Sequence, residues 1–181
     1  MTILYTIGHG NRTVEDFTAL LKSARIECLV DVRAYPRSRR NPQFSRIALD
    51  PALKAGCMRY VWEGGPLGGM RRSRGDSPHL ALADAAHRGY ADHMATAEFE
   101  AALDRLVALG RARATAFMCA ETNPEHCHRS FIADALLAQG VEVLHLMAPH
   151  DVRTHTLREG ARLDERRRVL YDGCVQLGLA L

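Results

Sequence analysis

Residues 113–145 have the sequence RATAFMCAETNPEHCHRSFIADALLAQGVEVLH. The apolar run Arg113–Met118 predicts a buried β-strand that leads directly into Cys119, and Val141–His145 predicts a second strand. Between the two strands, apolar residues with helical spacing predict a helix that ends at Gly140. Strands joined by a helix are typical of a parallel sheet, because parallel neighbours need a crossover connection.

The same alternation of strand and helix extends over the rest of the chain. Further strands are predicted at residues 3–7, 28–32 and 59–62, and helices at residues 13–22, 45–54, 81–94 and 98–109. The expected fold is therefore α/β: a single domain over residues 1–181, with a mainly parallel five-stranded sheet and helices on both faces. The glycine- and arginine-rich sequence of residues 64–74 predicts a long mobile loop. Residues 158–170 predict a polar helix with an exposed face formed by Arg166, Arg167 and Arg168.

The composition is that of an ordinary globular protein. The 181 residues suit one domain, and 47% hydrophobic with 25% charged residues provides for one substantial core. Neither a run of about 18 apolar residues nor a signal-peptide pattern occurs, so we expect a cytoplasmic protein that does not bind a membrane. The net charge of +3 is too small to indicate a nucleic-acid partner by itself.

The five cysteines are odd in number, scattered, and form no C-x-x-C pair. This pattern argues against a disulfide framework and indicates a reducing compartment. Each cysteine is then expected to pack in the core, to bind a metal or to act as a reactive thiol.

Reactive side chains gather in three segments that follow predicted strands, namely residues 8–12, 31–33 and 119–129. Open parallel sheets bind ligands beyond the carboxyl ends of their strands, so we expect these segments to share one rim. The candidate catalytic residues are Cys119, Cys127, His128 and His9. The candidate substrate-binding residues are Asn11, Arg12, Asp31, Arg33, Arg37, Arg39, Arg40, Glu121 and Arg129.

Three interpretations of the cysteines are open. Cys127 lies at a predicted helix start, which favours a thiolate, whereas Cys119 comes directly off a strand and is held more rigidly; Cys119 is slightly preferred as nucleophile. Alternatively, both cysteines only pack the corner between strand and helix. A third interpretation is a zinc site, although an eight-residue separation lacks the tight spacing of known zinc modules. Its ligands would be Cys119, Cys127 and His128 with His9 or Glu121.

Asp31 follows an apolar strand, where a carboxylate is costly without a partner. We therefore expect Asp31 to be partly buried, ionised and paired with Arg33 or Arg129.

Arginine accounts for 22 of the 24 cationic side chains, since only Lys22 and Lys54 are lysine. Two arginine-rich loops, residues 37–40 and 71–74, suit a phosphate-bearing ligand and allow a nucleic-acid partner, although no nucleic-acid motif accompanies them. Solvated loops are the alternative interpretation. No role is assigned to the remaining histidines of loops and helix faces, which are His79, His87, His93, His150 and His155.

Several motifs together resemble the bacterial domain of unknown function 488 family over about Tyr5 to His145. The resemblance implies little about function, because the family looks uncharacterised. The chain departs from the family pattern at Gly10, where the family more often has serine. The motifs that carry the resemblance are Thr6-Ile7-Gly8-His9 with Asn11-Arg12, Val30-Asp31-Val32-Arg33, Pro36-Arg37-Ser38, Asn41-Pro42-Gln43-Phe44, Tyr90-Ala91-Asp92-His93-Met94, Met118-Cys119-Ala120-Glu121 and Cys127-His128-Arg129.

A weaker resemblance is to the rhodanese and cysteine-phosphatase type of domain, in which a cysteine follows a strand and precedes an arginine. In that class the arginine lies about five residues after the cysteine, whereas Arg129 is ten residues after Cys119. The analogy suggests a type of reaction without establishing it.

The expected function is a cysteine-dependent enzyme, a transferase or hydrolase, that acts on an anionic phosphate- or sulfur-bearing substrate at the carboxyl edge of the sheet. The alternatives are a phosphate-ligand or nucleic-acid binding module with structural cysteines, and the Cys/His zinc site. No cofactor is predicted.

Overall fold

Two sheets organise the computed structural model, which describes residues 2–37 and 40–173. The main sheet has six strands in the order β3-β2-β4-β1-β5-β6. The first five strands are parallel, and β6 runs antiparallel to β5. The second sheet is the antiparallel pair β7–β8. The strands are β1 (Ile3–Gly8), β2 (Cys28–Asp31), β3 (Arg59–Trp62), β4 (Thr115–Cys119), β5 (Glu142–Ala148), β6 (Asp151–Thr154), β7 (Ala161–Leu163) and β8 (Val169–Tyr171).

Helices cover both faces of the main sheet, as predicted. One apolar cluster joins α1 and α2 to one face, and the other joins α4, α5 and α6 to the opposite face. The central strands β2 and β4 are buried at every position, which explains their largely apolar sequences. The helices are α1 (Val14–Ser23), α2 (Arg46–Ala55), α3 (Gly64–Leu67), α4 (Ala85–Met94), α5 (Ala97–Ala112) and α6 (Arg129–Ala138).

Helix starts follow side-chain caps. Thr13 Oγ1 accepts a hydrogen bond from the Asp16 backbone at 3.0 Å, and the Asp84 carboxylate accepts one from the His87 backbone at 2.9 Å. The Asp84 cap places the start of α4 four residues later than the predicted start at residue 81. Ser45 precedes α2 as predicted.

The prediction of a five-stranded sheet was wrong, because the main sheet has a sixth strand, β6. The strand β6 is short and largely exposed, and its sequence Asp-Val-Arg-Thr has no apolar run. It is held instead by hydrogen bonding to β5. A strand that gains its stability from pairing at a sheet edge carries little periodic signal in its own sequence.

The prediction of a helix over residues 158–170 was also wrong, because this segment contains the β7–β8 hairpin. The Asp164 carboxylate accepts hydrogen bonds from the backbone of Arg166 at 2.9 Å and of Arg168 at 2.8 Å, and Arg167 has a φ of 60°. Side-chain acceptance of this kind stabilises a turn against a helix. The run of arginines is therefore a turn and not an exposed helix face.

The predicted loop over residues 64–74 begins with a helical turn, α3. Gly68 follows α3, and a Cβ atom built on it would lie 2.7 Å from Ala34 Cα. Glycine therefore allows this loop to pack directly against the chain that leaves β2. Among the described residues, no helix is long and apolar enough to cross a membrane.

Candidate functional site

The carboxyl ends of β1, β2 and β4 meet at one edge of the main sheet. The His9 backbone donates to the Cys119 carbonyl at 3.1 Å, and the Val32 backbone donates to the Met118 carbonyl at 3.1 Å. The structure thereby brings most predicted site residues to one edge, as the parallel topology requires. The side chains gathered there are His9, Asp31, Arg33, Cys119, Cys127, His128 and Arg129.

A pair of buried thiols lies at the centre of this edge. Cys119 Sγ is 2.6 Å from Cys127 Sγ, and the two residues are 1% and 4% exposed. Cys119 is held by the end of β4, while Cys127 directly precedes the His128 cap of α6. The short 3₁₀ turn Pro124–His126 returns the chain so that the second cysteine meets the first.

Arg129 supplies the positive charge next to this pair. Its Nη1 donates to Cys119 Sγ at 2.7 Å and to the Glu121 carbonyl at 2.6 Å, and its Nη2 donates to the Thr122 carbonyl at 2.9 Å. The residue is 1% exposed. Within the described part of the chain no carboxylate pairs with Arg129. Of the groups that accept hydrogen bonds from its guanidinium, the sulfur of Cys119 is the one that can carry a compensating negative charge.

The two thiols differ in acidity. Burial raises the pKa of Cys119, but the hydrogen bond from Cys127 and the charge of Arg129 outweigh burial and bring this pKa below its ordinary value. The hydrogen bond to Cys119, followed by burial, raises the pKa of Cys127 well above its ordinary value. Cys119 is therefore the more acidic thiol of the pair, and Cys127 is the donor in the contact between the two sulfurs.

His128 lies beside Cys127 and is oriented by β2. Its Nε2 is 3.1 Å from the Val32 carbonyl, an acceptor, so Nε2 carries the proton and Nδ1 has a free lone pair. That Nδ1 lies 3.6 Å from Cys127 Sγ. Burial lowers the pKa of His128 to about 4, so the ring is neutral near pH 7. The unprotonated Nδ1 of His128 therefore faces Cys127 Sγ.

Asp31 is fully buried and pairs with Arg33, one of its two predicted partners. The guanidinium donates from Nε at 2.9 Å and from Nη2 at 2.5 Å, and the Arg33 backbone N–H adds a third bond at 3.0 Å. The Tyr60 hydroxyl donates to the same carboxylate at 2.6 Å. Burial and then the Asp31 charge raise the pKa of Tyr60, so this hydroxyl stays a donor.

His9 is held as a neutral ring between Arg33 and Phe44. Its Nδ1 donates to the Gly10 carbonyl at 2.9 Å, and Arg33 Nη1 lies 3.4 Å from its Nε2. The ring stacks on Phe44 with centroids 4.4 Å apart. Burial is the largest cause of its lowered pKa. Among the described residues, the His9 ring forms hydrogen bonds with Gly10 and Arg33 and none with either sulfur, so its geometry favours a positioning role beside Arg33 over direct proton transfer.

Other predicted substrate-binding residues are placed differently. The Arg12 guanidinium donates to the Gly8 carbonyl at 2.6 Å and to the Met147 carbonyl at 2.5 Å. The Glu121 side chain is exposed, and its backbone carbonyl is what contacts Arg129. Asn11, Arg37 and Arg40 are exposed, and Arg39 lies outside the described residues.

Sequence reasoning missed Gly8 and Tyr60. A Cβ atom on Gly8 would lie 1.8 Å from the Glu121 carbonyl oxygen and 2.8 Å from Arg129 Nη1, so only glycine allows this approach. The signal for Tyr60 was its place on β3, where it lies next to β2 and its buried carboxylate.

A second buried polar network was also not predicted from the sequence, because no role is assigned there to His155. His145 Nε2 lies 3.0 Å from His155 Nδ1, and His155 Nε2 lies 2.9 Å from the Asp134 carboxylate. The Thr6 hydroxyl and the Tyr171 hydroxyl close the two ends at 2.7 Å and 2.8 Å. Every ring nitrogen is used within the network, which ties β1, β5, α6 and β8 together.

The geometry does not fit the zinc alternative. Two sulfur ligands at about 2.3 Å from a tetrahedral zinc ion lie roughly 3.7 Å apart, whereas Cys119 Sγ and Cys127 Sγ are 2.6 Å apart. The Arg129 guanidinium also contacts the Cys119 sulfur directly. Among residues 2–37 and 40–173, no group of three or more His, Cys, Asp or Glu side chains is arranged to hold a metal ion.

The fold and this edge define an α/β protein with a paired-thiol site. The chain belongs to the DUF488 family: the family model described as "Domain of unknown function DUF488" matches residues 13–136. The match confirms the resemblance seen in the sequence and includes both cysteines and Arg129. No curated protein and no solved structure shows significant similarity to the chain. The weaker resemblance to rhodanese and phosphatase domains stays a prediction.

Proposed function

We propose that this DUF488 protein is a cysteine-dependent enzyme that uses Cys119 as nucleophile on a small molecule containing an S–S bond. The observation that carries the proposal is the position of Cys119 Sγ, 2.7 Å from Arg129 Nη1 and 2.6 Å from Cys127 Sγ. A thiolate held by a buried guanidinium beside a second thiol is suited to thiol–disulfide chemistry.

In the first step the Cys119 thiolate attacks one sulfur of the substrate. A bond forms between Cys119 Sγ and that sulfur, the substrate S–S bond breaks, and its electron pair leaves with the second sulfur as a thiolate or, from thiosulfate, as sulfite. Arg129 stabilises the thiolate before the attack without being consumed.

In the second step Cys127 attacks Cys119 Sγ. Once Cys119 has lost its negative charge, the main cause of the raised pKa of Cys127 is gone. The Cys127 proton then passes by way of His128 Nδ1 to the departing group, because an imidazole with a pKa of about 4 relays a proton and does not keep it. The backbone N–H of Arg129, 3.5 Å from Cys127 Sγ, supports the new thiolate. A Cys119–Cys127 disulfide forms and the bound group leaves with the Cys127 proton, as a thiol or, from thiosulfate, as hydrosulfide. The two thiols have then lost two electrons and the substrate has gained them.

A sulfur-bearing substrate fits the site better than a phosphate-bearing one. The guanidinium groups of Arg12, Arg33 and Arg129 all donate to groups of the protein itself, which leaves no preformed phosphate clamp among them. The burial of Cys119 and Cys127 further favours a small substrate.

Mass spectrometry after exposure to hydroxyethyl disulfide or thiosulfate tests the proposal. The parent protein is expected to lose two hydrogen atoms within the peptides that contain Cys119 and Cys127. Cys127→Ser should accumulate the covalent adduct on Cys119, because the second step is blocked. Cys119→Ser should form neither product at this site.

Cys57→Ser is the matched control, because Cys57 is an exposed free cysteine outside the site. This variant should behave like the parent at Cys119. Adducts on Cys57 alone, with Cys119 and Cys127 unmodified, would overturn the proposal and leave the two cysteines with a packing role.

A further inference from the structure

A group of exposed arginine and aromatic side chains lies beyond the carboxyl ends of β2 and β3. Tyr35 is 72% exposed and Trp62 is 38% exposed, although large aromatic side chains are usually buried. Arg37, Arg40 and Arg46 are exposed on the neighbouring segments. We call these five residues the arginine–aromatic face.

Three contacts join the chain segments that carry this face. Trp62 Nε1 donates to the Arg33 carbonyl at 3.0 Å, and the Arg46 backbone donates to the Pro36 carbonyl at 2.9 Å. The Arg46 guanidinium lies 5.9 Å from the Trp62 ring centroid, within the range of a cation–π interaction. These contacts bring the loop after β2, the end of β3 and the start of α2 together, with the Arg46 and Trp62 side chains adjacent.

The positive charge of this face is not neutralised. In the part of the chain that the structure describes, none of Arg37, Arg40 and Arg46 forms an ion pair, whereas the exposed Arg105 pairs with Glu63 and the exposed Arg153 with Asp151. Residues 32–47 and 59–62 contain no acidic side chain. The acid nearest to Trp62 in sequence, Glu63, is already used by Arg105.

We propose that the arginine–aromatic face binds single-stranded nucleic acid. Exposed aromatic rings provide a surface on which unpaired bases stack, and adjacent arginines bind the phosphates of the same strand. An acidic peptide would use the charge of Arg37, Arg40 and Arg46 but not the exposed ring of Tyr35. This proposal does not depend on the chemistry of Cys119.

The chain provides its own probe, since Trp62 is its single tryptophan. Titration with oligo(dT) and oligo(rU) of about 12 nucleotides, a length within the usual site size, is expected to quench Trp62 fluorescence. The logarithm of the binding constant should fall with the logarithm of salt concentration with a slope of about −2, as expected for three phosphate contacts. A difference between the two oligomers identifies DNA or RNA as the preferred strand.

Matched variants separate stacking from charge. Tyr35→Ala and the double variant Arg37→Ser with Arg40→Ser should each weaken binding about tenfold, in line with the loss of a stacked base or of phosphate contacts. The double variant Arg111→Ser with Arg113→Ser removes the same charge near the amino end of β4, away from the carboxyl ends of the strands, and should bind the oligonucleotide like the parent.

Four outcomes overturn the proposal. They are an absence of quenching, equal weakening by the Arg111 and Arg113 substitutions, equally tight binding of polyphosphate, which has no bases, and full competition by polyglutamate. The last result would instead indicate an acidic protein partner.

Discussion

Arg129 Nη1 lies 2.7 Å from Cys119 Sγ, and this contact is the closest approach of the buried guanidinium to a group that can become an anion. The neighbouring buried cation, Arg33, has the carboxylate of Asp31 instead. An uncompensated buried cation is costly, so the charge of Arg129 and the ionisation of Cys119 stabilise each other.

Substitution of Arg129 should change the pH dependence of Cys119 alkylation. In the parent, iodoacetamide should label Cys119 below about pH 8.5, the ordinary value for cysteine, because its pKa is lowered. Arg129→Met should move labelling to higher pH, and Arg129→Lys should restore part of the shift. Site-resolved mass spectrometry measures the rate, and identical profiles for parent and Arg129→Met would contradict the pairing.

The same pairing predicts the sign of a stability effect. A cysteine whose folded-state pKa is lowered contributes stability that is present above its unfolded pKa of about 8.5 and is lost as the pH falls through the folded value. In Cys119→Ser this part of the pH dependence should be absent from denaturant unfolding curves. If the curves of parent and Cys119→Ser keep the same pH dependence, Cys119 is not the ionised thiol.

Asp31→Ala should destabilise the protein by about 3 to 5 kcal/mol, because it leaves the Arg33 cation buried without its carboxylate. Tyr60→Phe removes one donor from the same carboxylate and should cost about 1 to 2 kcal/mol. Thermal and urea unfolding measure both effects. Asp151→Ala, which breaks an exposed ion pair, is the control and should leave the free energy of unfolding nearly unchanged. A parent-like melting temperature for Asp31→Ala would refute the paired charge.

Gly8→Ala should destabilise the protein by about 1 to 3 kcal/mol or more, because the new methyl group overlaps the Glu121 carbonyl and crowds Arg129. It should also slow Cys119 alkylation by displacing the guanidinium. Gly75→Ala is the matched control, since a Cβ atom there has no neighbour within 4 Å. Equal unfolding free energies for the two variants would show that the close approach at Gly8 is unimportant.

His128 should make the protein sensitive to acid. Its folded pKa is about 4, against about 6.5 in the unfolded chain. Between these values the unfolded state binds more protons, so stability rises with pH by up to about 1.4 kcal/mol per pH unit. Between pH 4 and 6.5, the free energy of unfolding should depend less on pH in His128→Gln than in the parent, and should depend on pH as in the parent in the exposed His126→Gln. If His128→Gln and the parent show the same pH dependence, His128 lies in a solvated environment.

The sequence by itself determined the parallel α/β class and the edge at which the thiols lie. Strands such as 28–32 and 113–118 are largely apolar because they are buried on both faces, and reactive side chains follow at their carboxyl ends. Local signals likewise located helix starts: the Thr13 hydroxyl caps α1, and Ser45 directly precedes α2 without a side-chain cap. These features depend on the pattern of residues within one short segment, so a single sequence is enough to predict them.

Only the tertiary structure decided which groups meet. Arg129 reaches Cys119 although ten residues separate them, because the turn at Pro124–His126 and the space at Gly8 bring α6 back over the end of β4. The strand β6 and the β7–β8 hairpin form through pairing with partners and through the Asp164 turn, neither of which has a periodic signature. Contacts between segments distant in sequence decide acidity and reactivity here, since burial and the placement of one charge set the pKa of each thiol.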